Sequence, residues 1–89
     1  MSFEWDPGKA RGNLRKHGMA FADAVGALMD PWASTVSDPH PDEERYLTIG
    51  TDYRERLVVV TWTIRGDRIR IISARRATRS ERRRYQGES

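Results

Sequence analysis

Apolar residues change their spacing along the chain near residue 32. An apolar stripe with the i, i+3, i+4, i+7 spacing of a helix is formed by Phe21, Ala24, Val25 and Leu28. It lies within a predicted helix over residues 20–29, which ends at Asp30 because the residue before Pro31 avoids helical backbone angles. Beyond this point apolar residues alternate with polar ones, which is the spacing of a half-buried strand. The pattern predicts helices first and a sheet afterwards.

Capping residues predict another helix ahead of that stripe. Asp6 is a favoured N-cap residue and Pro7 suits the first helical position, so this helix is expected to begin here. It should continue to His17 and stop at Gly18, which takes left-handed backbone angles without a steric penalty. Residues 2–5 contain apolar side chains and are predicted to form a short edge strand.

Four alternating segments follow, with turn-forming residues between them. The predicted strands cover residues 33–36, 45–49, 57–64 and 68–74. Gly66-Asp67 separates the last two, and glycine in the first of two turn positions favours a type II′ hairpin. A closing helix is predicted over residues 78–85. The result is one α+β domain over residues 1–89, with a short N-terminal strand and two helices, a four-stranded antiparallel meander, a C-terminal helix and a flexible tail at 86–89.

The two-residue turn also predicts which residues face each other across the hairpin. The expected pairs are Arg65 with Arg68, Ile64 with Ile69, Trp62 with Ile71 and Val58 with Arg75. The side chains expected to share the core face are those of Val60, Trp62, Ile64, Ile69 and Ile71. Away from the turn, this register brings Arg56 beside Arg75 and Arg76.

Arginine is concentrated in the last third of the chain. Residues 64–84 hold nine arginines against Asp67 and Glu81, a formal charge of +7. Residues 1–63 carry seven basic and ten acidic side chains, a formal charge of −3. Because the guanidinium group binds phosphate or carboxylate through paired hydrogen bonds, a polyanion is the expected partner.

The composition argues against several other classes of function. No cysteine is present, which excludes disulfides, thiolate nucleophiles and cysteine-rich zinc sites, and two histidines make a poor metal centre. No apolar run reaches the length of a membrane span, and the N-terminal residues lack the apolar stretch of a signal peptide. The expectation is a cytoplasmic protein that uses no metal or other cofactor and does not bind a membrane.

Arg56, Arg75 and Arg76 are the candidates for gripping a phosphate, because the predicted register places them together. The alternative is a solvated sheet edge, although such an edge would be expected to mix lysine and glutamate with arginine. His17 is the candidate for proton transfer, since an imidazole titrates near neutral pH. Its alternative role is a favourable interaction with the helix C-terminus.

Three further side chains have structural interpretations. Tyr85 is a candidate site residue, or alternatively a packing anchor at the end of the closing helix. Glu81 is explained by a capping box with Thr78. Trp32 is expected at the margin of the core.

The chain resembles the BrnT family of bacterial type II toxins. The resemblance rests on the segments FEWDPGKARGNLRKHGMAF, EERYLTIG and RIRIISARRATRSERRRY and covers nearly the whole sequence. It implies a RelE-like fold, a ribonuclease activity that arrests translation, and neutralisation by a BrnA-like antitoxin with a ribbon-helix-helix DNA-binding domain. DNA is then contacted only through the antitoxin.

Site residues of RelE-like toxins are matched at three places. The strand ERLVVV resembles the motif that supplies one arginine, at Arg56; ISARR resembles another, at Arg75 or Arg76; and SERRRY supplies the tyrosine, at Tyr85. A lysine-rich segment that provides a catalytic base in some relatives is missing here. The KHG segment makes His17 the substitute that the resemblance suggests.

The resulting expectation is a metal-independent endoribonuclease that cleaves RNA by attack of its own 2′-hydroxyl. The substrate would be mRNA, either free or on the ribosome. Further arginines expected to bind RNA are Arg45, Arg65, Arg79, Arg82 and Arg83. If His17 does not transfer protons, Tyr85 or a carboxylate such as Glu44 would. The alternative is a basic module that binds nucleic acid or an acidic partner without catalysis.

Overall fold

The fold is a five-stranded sheet with two helices on one face and a third helix at one end of the other. The computed structural model describes residues 1–87, so part of the tail predicted to be flexible lies outside the described residues. The elements are β1 (Ser2–Glu4), α1 (Pro7–His17), α2 (Phe21–Leu28), β2 (Ser34–Asp38), β3 (Arg45–Thr51), β4 (Leu57–Arg65), β5 (Arg68–Arg76) and α3 (Arg79–Tyr85). The predicted α+β, RelE-like architecture is confirmed.

The ends of α1 follow from the capping residues. The Asp6 side chain accepts a hydrogen bond from the backbone nitrogen of Lys9 at 2.8 Å, and Pro7 begins the helix. Gly18 ends it with φ 69°, and its nitrogen donates to the carbonyl of Leu14 at 2.8 Å. This glycine is needed because an L side chain at such an angle clashes with the backbone.

From β2 to β5, strands that are consecutive in the sequence are neighbours in the sheet, as the predicted meander requires. The strand order is β1-β5-β4-β3-β2, and β2 to β5 are all antiparallel neighbours. The short β1 lies at the edge and runs parallel to β5. At the β4–β5 turn, Gly66 has φ 63° whereas Asp67 has no positive φ, which fits a type II′ turn. No helix within residues 1–87 has the length and apolar character to cross a bilayer.

A β-bulge makes the predicted register between β4 and β5 wrong for the residues that lie farther from the turn than Trp62 and Ile71. The pairs nearest the turn are as expected, from Arg65 with Arg68 to Trp62 with Ile71. Between Thr61 and Trp62 the register then shifts by one residue, so that Val58 faces Arg76 instead of Arg75. A bulge adds one unpaired residue to one strand and leaves no clear mark in the alternation of apolar residues.

The main core lies between the sheet and the two N-terminal helices. Its largest buried side chains include Phe21 and Met19, each only 1% exposed. Burying a side chain of this size contributes about 1.5–3 kcal/mol relative to leaving it in water. Gly50 lets α2 approach β3 closely, because a Cβ there would lie 2.5 Å from the carbonyl oxygen of Ala27.

Two predictions about the core are wrong. Ile64 was expected in the core but is 56% exposed, because it lies near the hairpin turn, beyond the buried part of β4. Trp32 was expected at the core margin but is 78% exposed, because the turn that carries it projects from the end of α2. The other predicted core residues of the hairpin are buried or half-buried.

Candidate active site

Asn13 fixes α1 against the outer edge of β5. The short β1 pairs only with Arg68 to Arg70, which leaves the backbone of Ala74 without a neighbouring strand on that side. The Asn13 amide replaces the strand: it donates to the carbonyl of Ala74 at 2.9 Å and accepts from the nitrogen of Ala74 at 3.1 Å. It also donates to the carbonyl of Met19. Asn13 thereby satisfies buried backbone groups and sets the position of α1 along the sheet.

This anchoring brings the end of α1, which carries His17, toward the end of β5, which carries Arg76. His17 lies one helical turn beyond Asn13, about 6 Å along the axis at 1.5 Å per residue. Arg76 lies two residues beyond Ala74, a similar distance at about 3.3 Å per residue, and alternation places it on the same face of the sheet. Both side chains are exposed. The end of α1 and the end of β5 therefore meet at a corner of the molecule.

Arg56 lies at the same corner but is held inside a carboxylate network. Its guanidinium contacts Asp52, with Nε to Oδ2 at 3.0 Å and Nη2 to Oδ2 at 2.8 Å, and Nη2 lies 3.8 Å from Asp23. Its Nη1 donates to the carbonyl of Gly18 at 3.2 Å. Arg56 thus joins the β3–β4 turn to the segment that follows His17. We call His17, Arg56 and Arg76 the basic corner.

Asp52 was not identified from the sequence as part of this network. Its carboxylate is only 1% exposed and accepts hydrogen bonds from the backbone nitrogens of Arg54 and Arg56 as well as from the Arg56 side chain. An aspartate that begins a turn four residues before an arginine is a weak sequence signal. Its meaning here depends on burial, which the sequence does not reveal.

Arg75 points away from the basic corner, toward α3. It forms a two-pronged ion pair with Glu81, with distances of 2.8 and 2.9 Å. Glu81 also closes the predicted capping box with Thr78, which the structure confirms. The hydrogen bonds from Arg75, opposed by burial and helped by the backbone of Thr78, lower the pKa of Glu81 to about 2. Glu81 therefore both caps α3 and neutralises Arg75.

Tyr85 is held by Asp30 on the α3 side of the sheet. Its hydroxyl donates to Oδ2 of Asp30 at 2.6 Å and lies 3.3 Å from the Thr51 hydroxyl. The hydrogen bond to Asp30 raises the pKa of Tyr85. Burial raises the pKa of Asp30, but the hydrogen bonds from Tyr85 and from the backbone of Thr51 and Trp32 outweigh it, and the net shift is downward.

The sheet therefore divides the residues that were predicted to converge. Arg75 and Arg76 are consecutive in a strand, so their side chains leave opposite faces. Arg76 joins Arg56 and His17 on the side of α1 and α2, whereas Arg75 joins Tyr85 on the side of α3. The expected clamp of three arginines on one phosphate is not found.

The remaining arginines fall into paired and unpaired groups. At the hairpin end of the sheet, Glu43 pairs with Arg45 at 2.9 Å and with Arg65 at 3.3 Å. Hydrogen bonding from Arg45 accordingly lowers the pKa of Glu43. By contrast, the arginines that are exposed and form no ion pair within residues 1–87 include Arg76, Arg79, Arg82, Arg83 and Arg84.

A cavity of about 420 Å³ lies at the hairpin end, where it is lined by Asp42, Glu43, Glu44, Tyr46, Thr63, Ile64 and Arg65. Glu44, a fallback candidate for proton transfer, accepts a hydrogen bond from Tyr46 here. Within residues 1–87 no three histidine or acidic side chains are grouped as metal ligands would be.

The fold and the exposed arginines without ion-pair partners within residues 1–87 define a small α+β protein with a basic surface of the kind that binds a polyanion. Residues 5–81 match the family described as "Ribonuclease toxin, BrnT, of type II toxin-antitoxin system". The chain belongs to the BrnT family. It is a ribonuclease toxin of a type II toxin-antitoxin system, so RNA is its substrate and an antitoxin its partner.

A solved structure supports the family assignment. The chain is similar to the crystal structure of the ribonuclease toxin BrnT of Brucella abortus, with 28% sequence identity and a TM-score of 0.66. The similarity covers 89% of this chain and 99% of that one. No curated protein matches the sequence significantly.

Proposed function

We propose that this toxin is a metal-independent endoribonuclease whose reacting phosphate binds at the basic corner. Two exposed side chains carry the proposal: the imidazole of His17, at the end of α1, and the guanidinium of Arg76, at the end of β5, which has no ion-pair partner within residues 1–87. Arg56 fixes the backbone beside them. Proton transfer and phosphate charge stabilisation are the two contributions that RNA cleavage requires from a protein.

The reaction needs no protein nucleophile. The 2′-oxygen of one nucleotide forms a bond to the adjacent phosphorus, and the bond from phosphorus to the 5′-oxygen breaks. The 2′-hydroxyl loses its proton to a base, and the departing 5′-oxygen gains one from an acid. The products are a 2′,3′-cyclic phosphate and a 5′-hydroxyl. The protein must align the RNA and stabilise the extra negative charge on the phosphorane.

Roles follow from what each side chain of the basic corner already contacts. Arg76 stabilises the developing charge, because its guanidinium is available for the phosphate oxygens. His17 is the base that accepts the proton of the 2′-hydroxyl, and solvent water supplies the proton that the departing 5′-oxygen gains. Arg56 is a positioning residue, since its hydrogen bonds are used on Asp52 and the Gly18 carbonyl.

The other proton-transfer candidates are less suitable. Tyr85 already donates its proton to Asp30, and its raised pKa disfavours the ionised form that a base requires. Glu44 lies at the hairpin end, where it is bound to Tyr46. Neither is close to the unpaired Arg76, which leaves His17 as the proposed group.

The arginines of α3 extend the proposed RNA surface beyond the reacting phosphate. Arg82 and Arg83 lie three and four residues after Arg79 on the helix, so both are neighbours of Arg79 on its exposed side. Arg45 and Arg65, which were also expected to bind RNA, are paired with Glu43 far from this helix. We therefore assign RNA contacts to α3 and none to the hairpin end.

The antitoxin is proposed to be BrnA-like, with a ribbon-helix-helix domain that makes the only contact with DNA. The unpaired arginines offer carboxylates of such a partner the same surface that they offer RNA phosphates. Occupation of the basic corner would then explain neutralisation. The proposed substrate is mRNA, on the ribosome or free.

Product analysis tests the proposed reaction. The purified toxin is incubated with free RNA in EDTA and with translating ribosomes in the magnesium buffer that they need, and the ends of the fragments are mapped. Fragments with 2′,3′-cyclic phosphate and 5′-hydroxyl ends are expected in at least one of the two reactions. Cleavage of free RNA only when a divalent metal is added, or fragments with 5′-phosphate ends in either reaction, would contradict the mechanism. If the toxin binds RNA but cleaves it in neither reaction, the non-catalytic module would be favoured.

A further inference from the structure

Trp32 is a large aromatic side chain that the fold does not use. It is 78% exposed, in a turn between α2 and β2. Met29 at the end of α2 is 61% exposed and Tyr53 is 63% exposed. A tryptophan of this size normally buries its ring in a core or an interface. Its exposure therefore suggests a ligand.

The backbone that carries Trp32 is held in place even though the ring is free. The nitrogen of Trp32 donates to Oδ1 of Asp30 at 2.9 Å, and the nitrogen of Ala33 donates to the carbonyl of Asp30 at 3.0 Å. The other carboxylate oxygen of Asp30 accepts from the nitrogen of Thr51 at 2.8 Å. A platform fixed in this way loses little conformational freedom when a ligand binds.

Asp30 also links the backbone of Trp32 to α3 through hydrogen bonds. Its Oδ2 accepts the hydroxyl of Tyr85, so a single carboxylate separates the Trp32 backbone from the last residue of the arginine helix. That last turn carries Arg82, Arg83 and Arg84. An exposed aromatic ring, together with unpaired arginines on a neighbouring element, is a combination that binds single-stranded nucleic acid, through base stacking and phosphate contacts.

We propose that Trp32 is a stacking platform for an unpaired base of single-stranded RNA whose phosphates contact the arginines of α3. This inference rests on the proposed function only in requiring that the toxin bind RNA directly. The charge around Trp32 favours RNA over a protein partner with a basic surface. Of the nearby carboxylates, Asp30 and Asp52 already accept hydrogen bonds, whereas the arginines of α3 have no ion-pair partner within residues 1–87.

Binding of a non-cleavable single-stranded RNA tests this platform. The probe is a fluorescently labelled 2′-O-methyl oligonucleotide, in which the attacking hydroxyl is blocked. Trp32→Ala is expected to weaken binding by roughly 5- to 100-fold, the range for loss of one aromatic stacking contact. Trp32→Phe should restore much of the affinity, because phenylalanine retains an aromatic face.

Two controls separate stacking from other effects. Ile64→Ala removes a comparably exposed apolar side chain at the hairpin end and should leave binding unchanged. The slope of affinity against salt concentration should be the same for Trp32→Ala and the wild type, because no phosphate contact is removed. Thermal unfolding of each variant checks that the fold is intact.

The outcomes distinguish this proposal from the proposed function. If the wild-type toxin binds the probe and Trp32→Ala binds it equally well, the platform is refuted while the ribonuclease mechanism stands. If Trp32→Ala weakens only the complex with the antitoxin, the exposed ring serves a protein interface and the proposal is also refuted. If the wild-type toxin binds no RNA in any form, both proposals fail together.

Discussion

The two ends of the sheet are both rich in arginine, but they use it differently. At the hairpin end, Glu43 pairs with Arg45 and Arg65, and Glu4 pairs with Arg70 at 2.7 Å and Arg68 at 3.7 Å. At the opposite end, two arginines pair with carboxylates, while Arg76 and those of α3 have no such partner within residues 1–87. A phosphate that approaches a paired arginine must displace a carboxylate, whereas an unpaired arginine presents no such competitor. The two ends therefore differ in whether their arginines are free of carboxylate partners, more than in the number of arginines, and the end with free arginines is the one proposed to bind RNA.

Each end of the sheet carries a histidine, so the same substitution can be made at both ends and its effect on RNA cleavage compared. His17 lies at the basic corner, whereas His40 lies in the loop before β3 at the hairpin end. His17→Ala is expected to slow RNA cleavage by about 10²- to 10⁴-fold, the usual contribution of a general acid or base. His40→Ala should leave the single-turnover rate unchanged. Equal effects of the two substitutions, or none from His17→Ala, would remove the imidazole from the mechanism.

Unfolding by urea compares the ion pairs of the two ends. Asp52→Ala removes a buried carboxylate and leaves Arg56 without its partner, which is expected to cost about 3–5 kcal/mol in free energy of unfolding. Glu4→Ala removes a partly exposed carboxylate from the exposed Arg68 and the half-buried Arg70, and it should cost only about 1 kcal/mol. Arg56→Ala should also destabilise the toxin, so lost toxicity in that variant would not by itself show a catalytic role. A small effect of Asp52→Ala would contradict the structural role of this network.

The Arg75–Glu81 pair predicts a dependence of stability on pH. The pKa of Glu81 is about 2 in the folded protein, against an ordinary 4.5. The ionised carboxylate therefore stabilises the folded protein fully above pH 4.5, and this stabilisation is lost as the pH falls toward 2. Glu81→Gln retains a capping side chain but removes the charge. Because Arg75 is partly exposed, we expect Glu81→Gln to reduce stability by only about 1–2 kcal/mol at pH 7. The difference in free energy of unfolding between Glu81→Gln and the wild type should disappear near pH 2. A difference that stays constant at all pH values would refute the ion-pair account.

Local signals in the sequence predicted the fold well. The caps of α1, the capping box of α3 and the glycine of the hairpin turn were all recognised, because each depends on a few neighbouring residues. The antiparallel meander followed from alternation and short connections. Register could be predicted only as far as the bulge near Thr61, where one extra residue in β5 changes the partner of every later position.

Burial and side-chain geometry, which the sequence does not reveal, limited prediction of the site. The pairing of Arg75 with Glu81 and of Arg56 with Asp52 depends on burial and geometry, and it reversed the expectation that these arginines are available for phosphate. Strand alternation alone was enough to separate Arg75 from Arg76. Asn13 was missed because a polar residue within a helix indicates nothing about the unpaired strand edge that it completes.

Single-turnover cleavage by Arg76→Ala and Arg68→Ala tests the central claim most directly. Both substitutions remove one exposed arginine from β5, at opposite ends of the strand. Loss of the unpaired Arg76 should lower the rate by about 10²- to 10³-fold, as expected for one donor to the transition state. Loss of Arg68, which lies beside Glu4, should leave the rate unchanged. Equal rates for the two variants, or a larger loss for Arg68→Ala, would contradict the assignment of the active site to the basic corner.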